Sequence, residues 1–366
     1  MTTSESSRFA VIMAGGQGTR FWPESTPARP KQLLDLLGVR KSLLRISYER
    51  ALGLVPPENV IIVTGRSIGE QVREDLTEIP ERNILVEPVG RNTSPCVGWA
   101  ALHVRAADPN GVMAVLPADH FIRDEEAFCN VMRVAMDRAG SANTIVTIGV
   151  KPSRPETGYG YIEGGESVDG DVLMARRFVE KPDRLTAEHY LRDGNFFWNA
   201  GIFNFTAERI LTDIGRFLPD LARGLERIEE GVRGGDPAAE ARIVEQVYGE
   251  IEGISIDYGV MERKEKGGIE VIPGEFGWSD LGSWGAIYEH LPCDVEGNVV
   301  RGGAIPVLED VKGCLLSTSK PGKVIALCGV EDLVVIDTED AVLVVPRIRD
   351  QEVRKLQKLA KKRKGD

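Results

Sequence analysis

Histidine and cysteine are scarce in this chain of 366 residues, and the few present are poorly placed for metal or redox work. The four histidines, His103, His120, His189 and His290, form no i, i+4 pair and no H-E-x-x-H, which excludes the usual zinc signatures. The five cysteines, Cys96, Cys129, Cys293, Cys314 and Cys328, are odd in number, scattered and never spaced C-x-x-C; a disulfide framework is excluded and buried thiols are expected. Long apolar runs are missing as well. Runs such as VIIVT (60–64) and AVLVV (341–345) are of strand length, far short of the roughly 20 residues a membrane helix needs. The opening MTTSESSR has neither the basic start nor the apolar core of a secretory signal, so a cytoplasmic location is expected.

Positive charge is in deficit: 56 acidic residues against 45 basic ones leave a net charge of -11, which argues against non-specific nucleic-acid binding over the whole surface. The exception is the tail RKLQKLAKKRKGD (354–366), where Val353, Leu356 and Leu359 recur at helical spacing under a basic face. It reads as a solvated terminal helix docked by three apolar residues. With 42% hydrophobic and 28% charged side chains, the remainder is that of one large or two smaller globular domains.

From Phe9 to about Val150, strand-like runs alternate with helical patterns: FAVIM, LLRISYERAL, VIIVT, IGEQVREDL, ILVEP, PCVGWAALHV, VMAVLP, AFCNVMRVAMDRA and TIVTIGV. This βαβα order predicts an α/β fold with a mainly parallel sheet, whose ligands bind beyond the C-terminal strand ends. From Lys151 to Leu291 the texture is mixed, and it reads as an extension of the same sheet. After Pro292, short β-rich runs separated by Gly, Asp and Lys predict a small all-β domain or short β-solenoid, closed by the basic helix. The expected domains are therefore 1–291, 292–348 and 349–366.

The first strand runs into AGGQGTRFWPESTPARPKQ. This loop fails the G-x-G-x-x-G template, because Phe21 stands where the third glycine belongs, and it lacks the Gly-Lys-Ser/Thr of a Walker A loop. Its glycines let backbone N–H groups approach phosphate oxygens, Arg20 can fork onto a phosphate pair, and Lys31 adds a point charge. Pro23, Pro27 and Pro30 stiffen the excursion between the two cations. The combination suits a nucleoside triphosphate.

That loop resembles the signature of the sugar-nucleotide pyrophosphorylases, and its Phe-Trp-Pro and Pro-Lys-Gln resemble the mannose-1-phosphate guanylyltransferase branch. The resemblance continues in order through VEPVGRNTSPCVGWAAL, LPADHFI, TGYGYIE, FVEKPD, FFWNAGIFNF, SIDYGVMER, WSDLGSW and GVEDLVVIDTEDAVLVV, nearly the whole chain. It implies a Rossmann-like, glycosyltransferase-A-like nucleotidyltransferase domain and a short left-handed β-helix-like domain.

By the same resemblance, Ala14, Gly15, Gly16, Gly18 and Thr19 bind nucleotide, and Asp119 and Asp280 hold Mg²⁺ or another divalent cation. Taken singly, either aspartate could cap a helix. Two carboxylates with phosphate oxygens and water suffice for Mg²⁺. Glu87 is the candidate reader of the base, since guanine offers N1–H and N2–H₂ on one edge to a carboxylate; on its own it could be a surface glutamate. Pro88, Gly90, Arg91, Asn92 and Thr93 resemble the family's base-binding turn. For the sugar, Gly158 and Gly160 offer bare backbone, Tyr159 and Tyr161 stack or pack, and Asn199 offers donor and acceptor. Glu180 resembles the hydroxyl acceptor and Lys181 the sugar-phosphate lysine.

A sugar 1-phosphate is already anionic at pH 7, so the reaction needs no general base; two repelling anions must be brought together and the charge on the α-phosphoryl group stabilised. The expected catalytic set is Arg20, Lys31, Asp119, Lys181 and Asp280. The expected activity makes GDP-mannose and pyrophosphate from GTP and mannose 1-phosphate in a homodimer, with no nucleic-acid or membrane partner. Two alternatives stand: a sugar-1-phosphate nucleotidyltransferase for another base or a heptose, and a silent sugar-nucleotide-binding regulator. A fused phosphomannose isomerase is not expected, since no histidine-rich cupin follows VLVVPR.

Overall fold

The computed structural model describes residues 7–16, 18–264 and 268–364. The stretch MTTSES, on which the expectation of location largely rests, lies outside them. The strands in chain order are β1 (Arg8–Ala14), β2 (Val60–Gly65), β3 (Ile84–Glu87), β4 (Val112–Pro117), β5 (Phe121–Ile122), β6 (Ile145–Val150), β7 (Tyr161–Asp169), β8 (Val172–Val179), β9 (Phe196–Thr206), β10 (Ile269–Pro273), β11 (Trp278–Ser279), β12 (Val299–Arg301), β13 (Ile305–Lys312), β14 (Leu315–Thr318), β15 (Val324–Glu331), β16 (Leu333–Asp337) and β17 (Val342–Pro346). The helices are α1 (Leu43–Ala51), α2 (Gly69–Asp75), α3 (Thr93–Ala107), α4 (Glu125–Ala142), α5 (Arg184–Asp193), α6 (Ala207–Phe217), α7 (Pro219–Gly234), α8 (Pro237–Glu250), α9 (Trp284–His290) and α10 (Val353–Lys364).

The chain divides into two compact units that do not follow chain order: Met1–Gly15, Ser47–Ala118 and Ile122–Trp278 form one, and Gly16–Ile46, Asp119–Phe121 and Ser279–Asp366 the other. The first is built on a nine-stranded sheet in the order β3-β2-β1-β4-β9-β6-β10-β8-β7, with β7 also pairing β9. Its β3-β2-β1-β4 side is parallel, with Ala10 of β1 opposite Val60 on one flank and Ala114 on the other. Strands β1, β2 and β4 are apolar at nearly every position because helices cover both faces, so no alternation survives. Strand β9 enters antiparallel to β4 and β6, which makes the sheet mixed. Helix α3 packs into the largest core with α6, α7 and α8, and almost every residue from Ser94 to Val104 is buried.

The second unit contains the glycine-loop excursion, α9, α10 and the C-terminal strands. There β12, β14 and β16 stack in parallel, β17 closes antiparallel, and β13 pairs with β15, a short β-helix-like arrangement. Its core joins Phe21, Leu34 and Leu36 of the excursion to Leu281, Trp284, Leu315, Val334 and Val353.

Two expectations are corrected. Cys96, Cys129 and Cys314 are buried, but Cys293 and Cys328 are exposed, one in the segment after α9 and the other on an outward-facing position of β15. Helix α10 docks through Val353 and Gln357, while Leu356 and Leu359 stay exposed; the buried face follows i, i+4 from Val353 instead of the i+3 row. Among the described residues no helix is long and apolar enough to cross a membrane.

Candidate active site

In the second unit, the glycine loop is closed by a backbone contact only glycine allows. Gly18 sits at φ 56, and a Cβ there would stand 2.5 Å from Lys31 Cβ and 2.6 Å from its backbone nitrogen. The loop's start is thereby laid against Lys31. A short 3-10 turn, Thr19–Phe21, carries Arg20, and the Gly18 carbonyl accepts from Phe21 N at 3.0 Å and from Ser25 Oγ at 2.7 Å. The carbonyl of Gly16 accepts from Gln32 Nε2 at 3.4 Å.

Lys31 is the centre of this set, with a side chain only 8% exposed. Its Nζ donates to Asp119 Oδ2 at 2.7 Å and to the Asp280 carbonyl at 2.6 Å. Burial pushes the Asp119 carboxyl up, but the charges of Lys31 and His120 and the hydrogen bond from Lys31 outweigh it and hold it below the usual range. Arg20 Nη1 reaches the Gly282 carbonyl at 3.4 Å and makes no carboxylate pair among the described residues. Four of the five expected catalytic residues thus share one unit.

Neither aspartate is a helix cap. Asp124 caps α4, its carboxylate accepting from Ala127 N, and Ser283 caps α9. Asp280 Oδ1 instead accepts from Gly282 N at 3.1 Å, next to Leu281 in the left-handed region at φ 44. The aromatic residues of both motifs hold this arrangement: Phe21 meets Trp284 edge to face at 5.2 Å, and Lys31 Nζ lies 5.7 Å from the Phe21 ring centroid. Among the described residues no group of three or more His, Cys, Asp or Glu side chains could hold a metal by itself. Two hard carboxylates completed by phosphate oxygens and water are a donor set that Mg²⁺ accepts, and Asp119 and Asp280 are of that type.

The first unit holds the remaining candidates. Glu87 ends β3 and is buried, 7% exposed, with no hydrogen-bond partner at Oε1 among the described residues. Burial raises its carboxyl to about 7, and the neighbouring Tyr248 hydroxyl offsets this only partly. A surface glutamate it is not. Beyond Pro88 and Gly90, Arg91 Nε donates to the Tyr248 carbonyl at 2.7 Å, and Asn92, at φ 68, caps α3 by accepting from Thr93 N. Thr93 Oγ1 accepts from Ile256 N at 2.8 Å.

Gly160 brings Tyr161, Asn199 and Glu180 together: its carbonyl accepts from Asn199 N at 2.8 Å, and a Cβ on it would stand 2.5 Å from Glu180 Oε2. Glu180 Oε1 accepts from Lys181 Nζ at 2.5 Å, while Oε2 is buried without a partner among the described residues. Lys181, at φ 49, also donates its backbone N–H to the Tyr159 carbonyl at 3.2 Å. Gly158 N donates to Glu156 Oε1 at 3.0 Å. Tyr161 is core, while Tyr159 packs edge-on against Trp198 and Trp278.

Three acidic or aromatic neighbours here are not singled out by the sequence. Asn199 Nδ2 donates to Asp257 Oδ1 at 3.0 Å, Glu262 Oε1 accepts from Glu180 N at 3.3 Å, and Lys181 Nζ lies 5.9 Å from the Tyr258 ring centroid. Burial raises the Asp257 and Glu180 carboxyls above their ordinary values. Asp257–Met261 is a single π-helical turn, a form that concentrates at functional sites. The available signal was the motif SIDYGVMER itself.

A glycine-rich loop after the first strand, a buried lysine shared by two aspartates and a mixed α/β sheet define a nucleotide-handling transferase. The family model described as nucleotidyl transferase matches residues 9–295, and the chain belongs to that family and is a nucleotidyltransferase. A second, described as a MannoseP isomerase/GMP-like beta-helix domain, matches residues 306–359. The chain is 38% identical over 352 residues to the mannose-1-phosphate guanylyltransferases of Klebsiella pneumoniae and of Escherichia coli, covering 94% of this chain and 72% of each relative. A solved structure described as mannose-1-phosphate geranyltransferase from Thermus thermophilus aligns with TM-score 0.86 and 36% identity, covering 97% of this chain and 99% of that one.

Proposed function

We propose that this enzyme transfers GMP from GTP to α-D-mannose 1-phosphate in a Mg²⁺-dependent reaction, giving GDP-mannose and pyrophosphate. The observation that carries the reading is Lys31, buried and donating to the Asp119 carboxylate and to the Asp280 backbone carbonyl, which sets both aspartates beside it. A buried ammonium and two carboxylates suit a reaction whose whole difficulty is phosphate charge. Asp119 and Asp280 would hold the Mg²⁺, which supplies further neutralisation of phosphate oxygens when bound.

In this reading Lys31 neutralises the α-phosphoryl oxygens, and Arg20, unengaged by any carboxylate among the described residues, holds the departing β and γ phosphates. The glycine loop presents its N–H groups to the same anion. Lys181 orients the sugar phosphate for in-line attack on the α-phosphorus; the α–β bridging bond breaks and pyrophosphate leaves with the electron pair. No proton has to be removed from the attacking oxygen. The unpartnered Glu87 Oε1 supports guanine as the base, because an acceptor already stripped of water favours a donor edge. The unpartnered Glu180 Oε2 supports a role as acceptor for a sugar hydroxyl. A cytoplasmic homodimer belongs to the same reading.

The test is pyrophosphate release with Mg²⁺ across GTP, ATP, UTP and dTTP against mannose, glucose and heptose 1-phosphates. Signal confined to GTP with mannose 1-phosphate is expected; another productive pair replaces the substrates, and silence throughout defeats the reading. Arg20→Ala and Lys181→Ala are each expected to lower kcat/KM by roughly a hundred- to a thousandfold.

A further inference from the structure

Arg301 closes β12 and belongs to none of the groups above. The strand stacking fixes it opposite Ser317 of β14. The chain then turns at Gly302, φ 68, where a Cβ would stand 2.0 Å from the Thr318 carbonyl oxygen, so no side chain can follow Arg301 here. The Arg301 side chain is 8% exposed and its ion-pair partner Glu24 12%.

The guanidinium is shared among separate segments of the second unit. Nη1 donates to Glu24 Oε1 at 2.7 Å and to Ser317 Oγ at 3.1 Å, and Nη2 donates to the Asp35 carbonyl at 2.7 Å. Ser317 Oγ donates to the same Glu24 oxygen at 2.7 Å. Cζ lies 5.5 Å from the Trp284 ring centroid. Glu24 stands four residues after Arg20, Asp35 four after Lys31, and Trp284 four after Asp280. One side chain therefore touches three of the segments that carry the phosphate-handling residues, those of Arg20, Lys31 and Asp280.

A buried ion pair is a poor device for stability alone, since apolar residues of the same volume do as well or better. What a planar fork adds is direction, because its N–H groups leave at fixed angles that a lysine cannot reproduce. We propose that Arg301 is a positioning residue for the transfer reaction, acting through Glu24, Asp35 and Trp284 to hold Arg20, Lys31 and Asp280 in mutual register. This rests on the function proposed above.

The experiment compares the unsubstituted chain, Arg301→Lys, Glu24→Gln, and Arg301→Met combined with Glu24→Gln; the last removes both buried charges at similar volume. Each is assayed for steady-state pyrophosphate release, thermal unfolding, and hydrogen exchange of peptides covering 18–36 and 279–284. A misplacement of about 1 Å costs on the order of a hundredfold. Arg301→Lys and the double variant are expected to lose roughly thirty- to a hundredfold in kcat, near that scale, with KM for mannose 1-phosphate little changed and faster exchange in both peptides. Folded variants with unchanged kcat and unchanged exchange overturn the proposal, as does a loss that only follows unfolding temperature. Silence of the unsubstituted chain with every substrate pair defeats the functional reading instead, and the exchange data then decide whether Arg301 anchors these segments.

Discussion

The Lys31 ammonium donates to Asp119 Oδ2 at 2.7 Å while its side chain is almost wholly withdrawn from water. The ammonium could not sit there alone without a large desolvation cost.

Replacing Asp119 by Asn should therefore act on stability and activity together. The folded carboxyl is held below its ordinary value, so its stabilisation is present above the unfolded value of about 4 and is lost as pH falls through the folded one. Asp119→Asn is expected to cost about 1 kcal/mol at pH 7, allowing for the partial exposure of the carboxylate. The gap in unfolding free energy should close in acid, as urea titrations at pH 7 and pH 3 would reveal. The rate should fall by roughly a thousandfold.

Glu87 has the opposite sign. Its folded value is raised from 4.5 to about 7, so its contribution to stability is full below the unfolded value and is lost as pH rises through about 7. Glu87→Gln removes that loss and should stabilise the protein by about 3 kcal/mol in alkali, with little gain at pH 5. Differential scanning calorimetry at the two pH values measures it. In a competition between GTP and other triphosphates the same variant should lose its preference for guanine, and an unchanged preference would show that the base is read elsewhere.

Gly160→Ala tests the sugar side. The added methyl would lie 2.5 Å from Glu180 Oε2, and the carboxylate must swing away from where it lies. KM for mannose 1-phosphate is expected to rise about tenfold, in line with losing one hydrogen bond to a charged group, while KM for GTP stays put. Equal changes in both constants would mean that Gly160 serves packing alone.

The strands and helices of the first 150 residues were legible because their periodicity is plain: apolar runs of strand length alternate with helical patterns in AVIM, VIIVT and MAVLP. The antiparallel entry of β9 between β4 and β6 was not, since FFWNAGIFNFT looks the same whichever way its neighbours run. Motif order pointed to Arg20, Lys31, Asp119 and Asp280, which the structure places in one unit, whereas Asp257 and Glu262 appeared only as letters within SIDYGVMER. Arg301, in a plain NVVRGG, carried no local signal at all.

Residue type and order by themselves determined the alternating α/β pattern, the glycine at position 18 and the short-stranded C-terminal region, because each depends on local conformation, and motif order marked Arg20, Lys31, Asp119 and Asp280 as candidates. Only the tertiary structure decided that Glu87 is buried with an unpaired oxygen, that Ser283 and not Asp280 caps α9, and that Arg301 joins Glu24, Asp35 and Trp284. Burial and long-range hydrogen bonds depend on which distant segments meet, and that is settled by packing the whole chain.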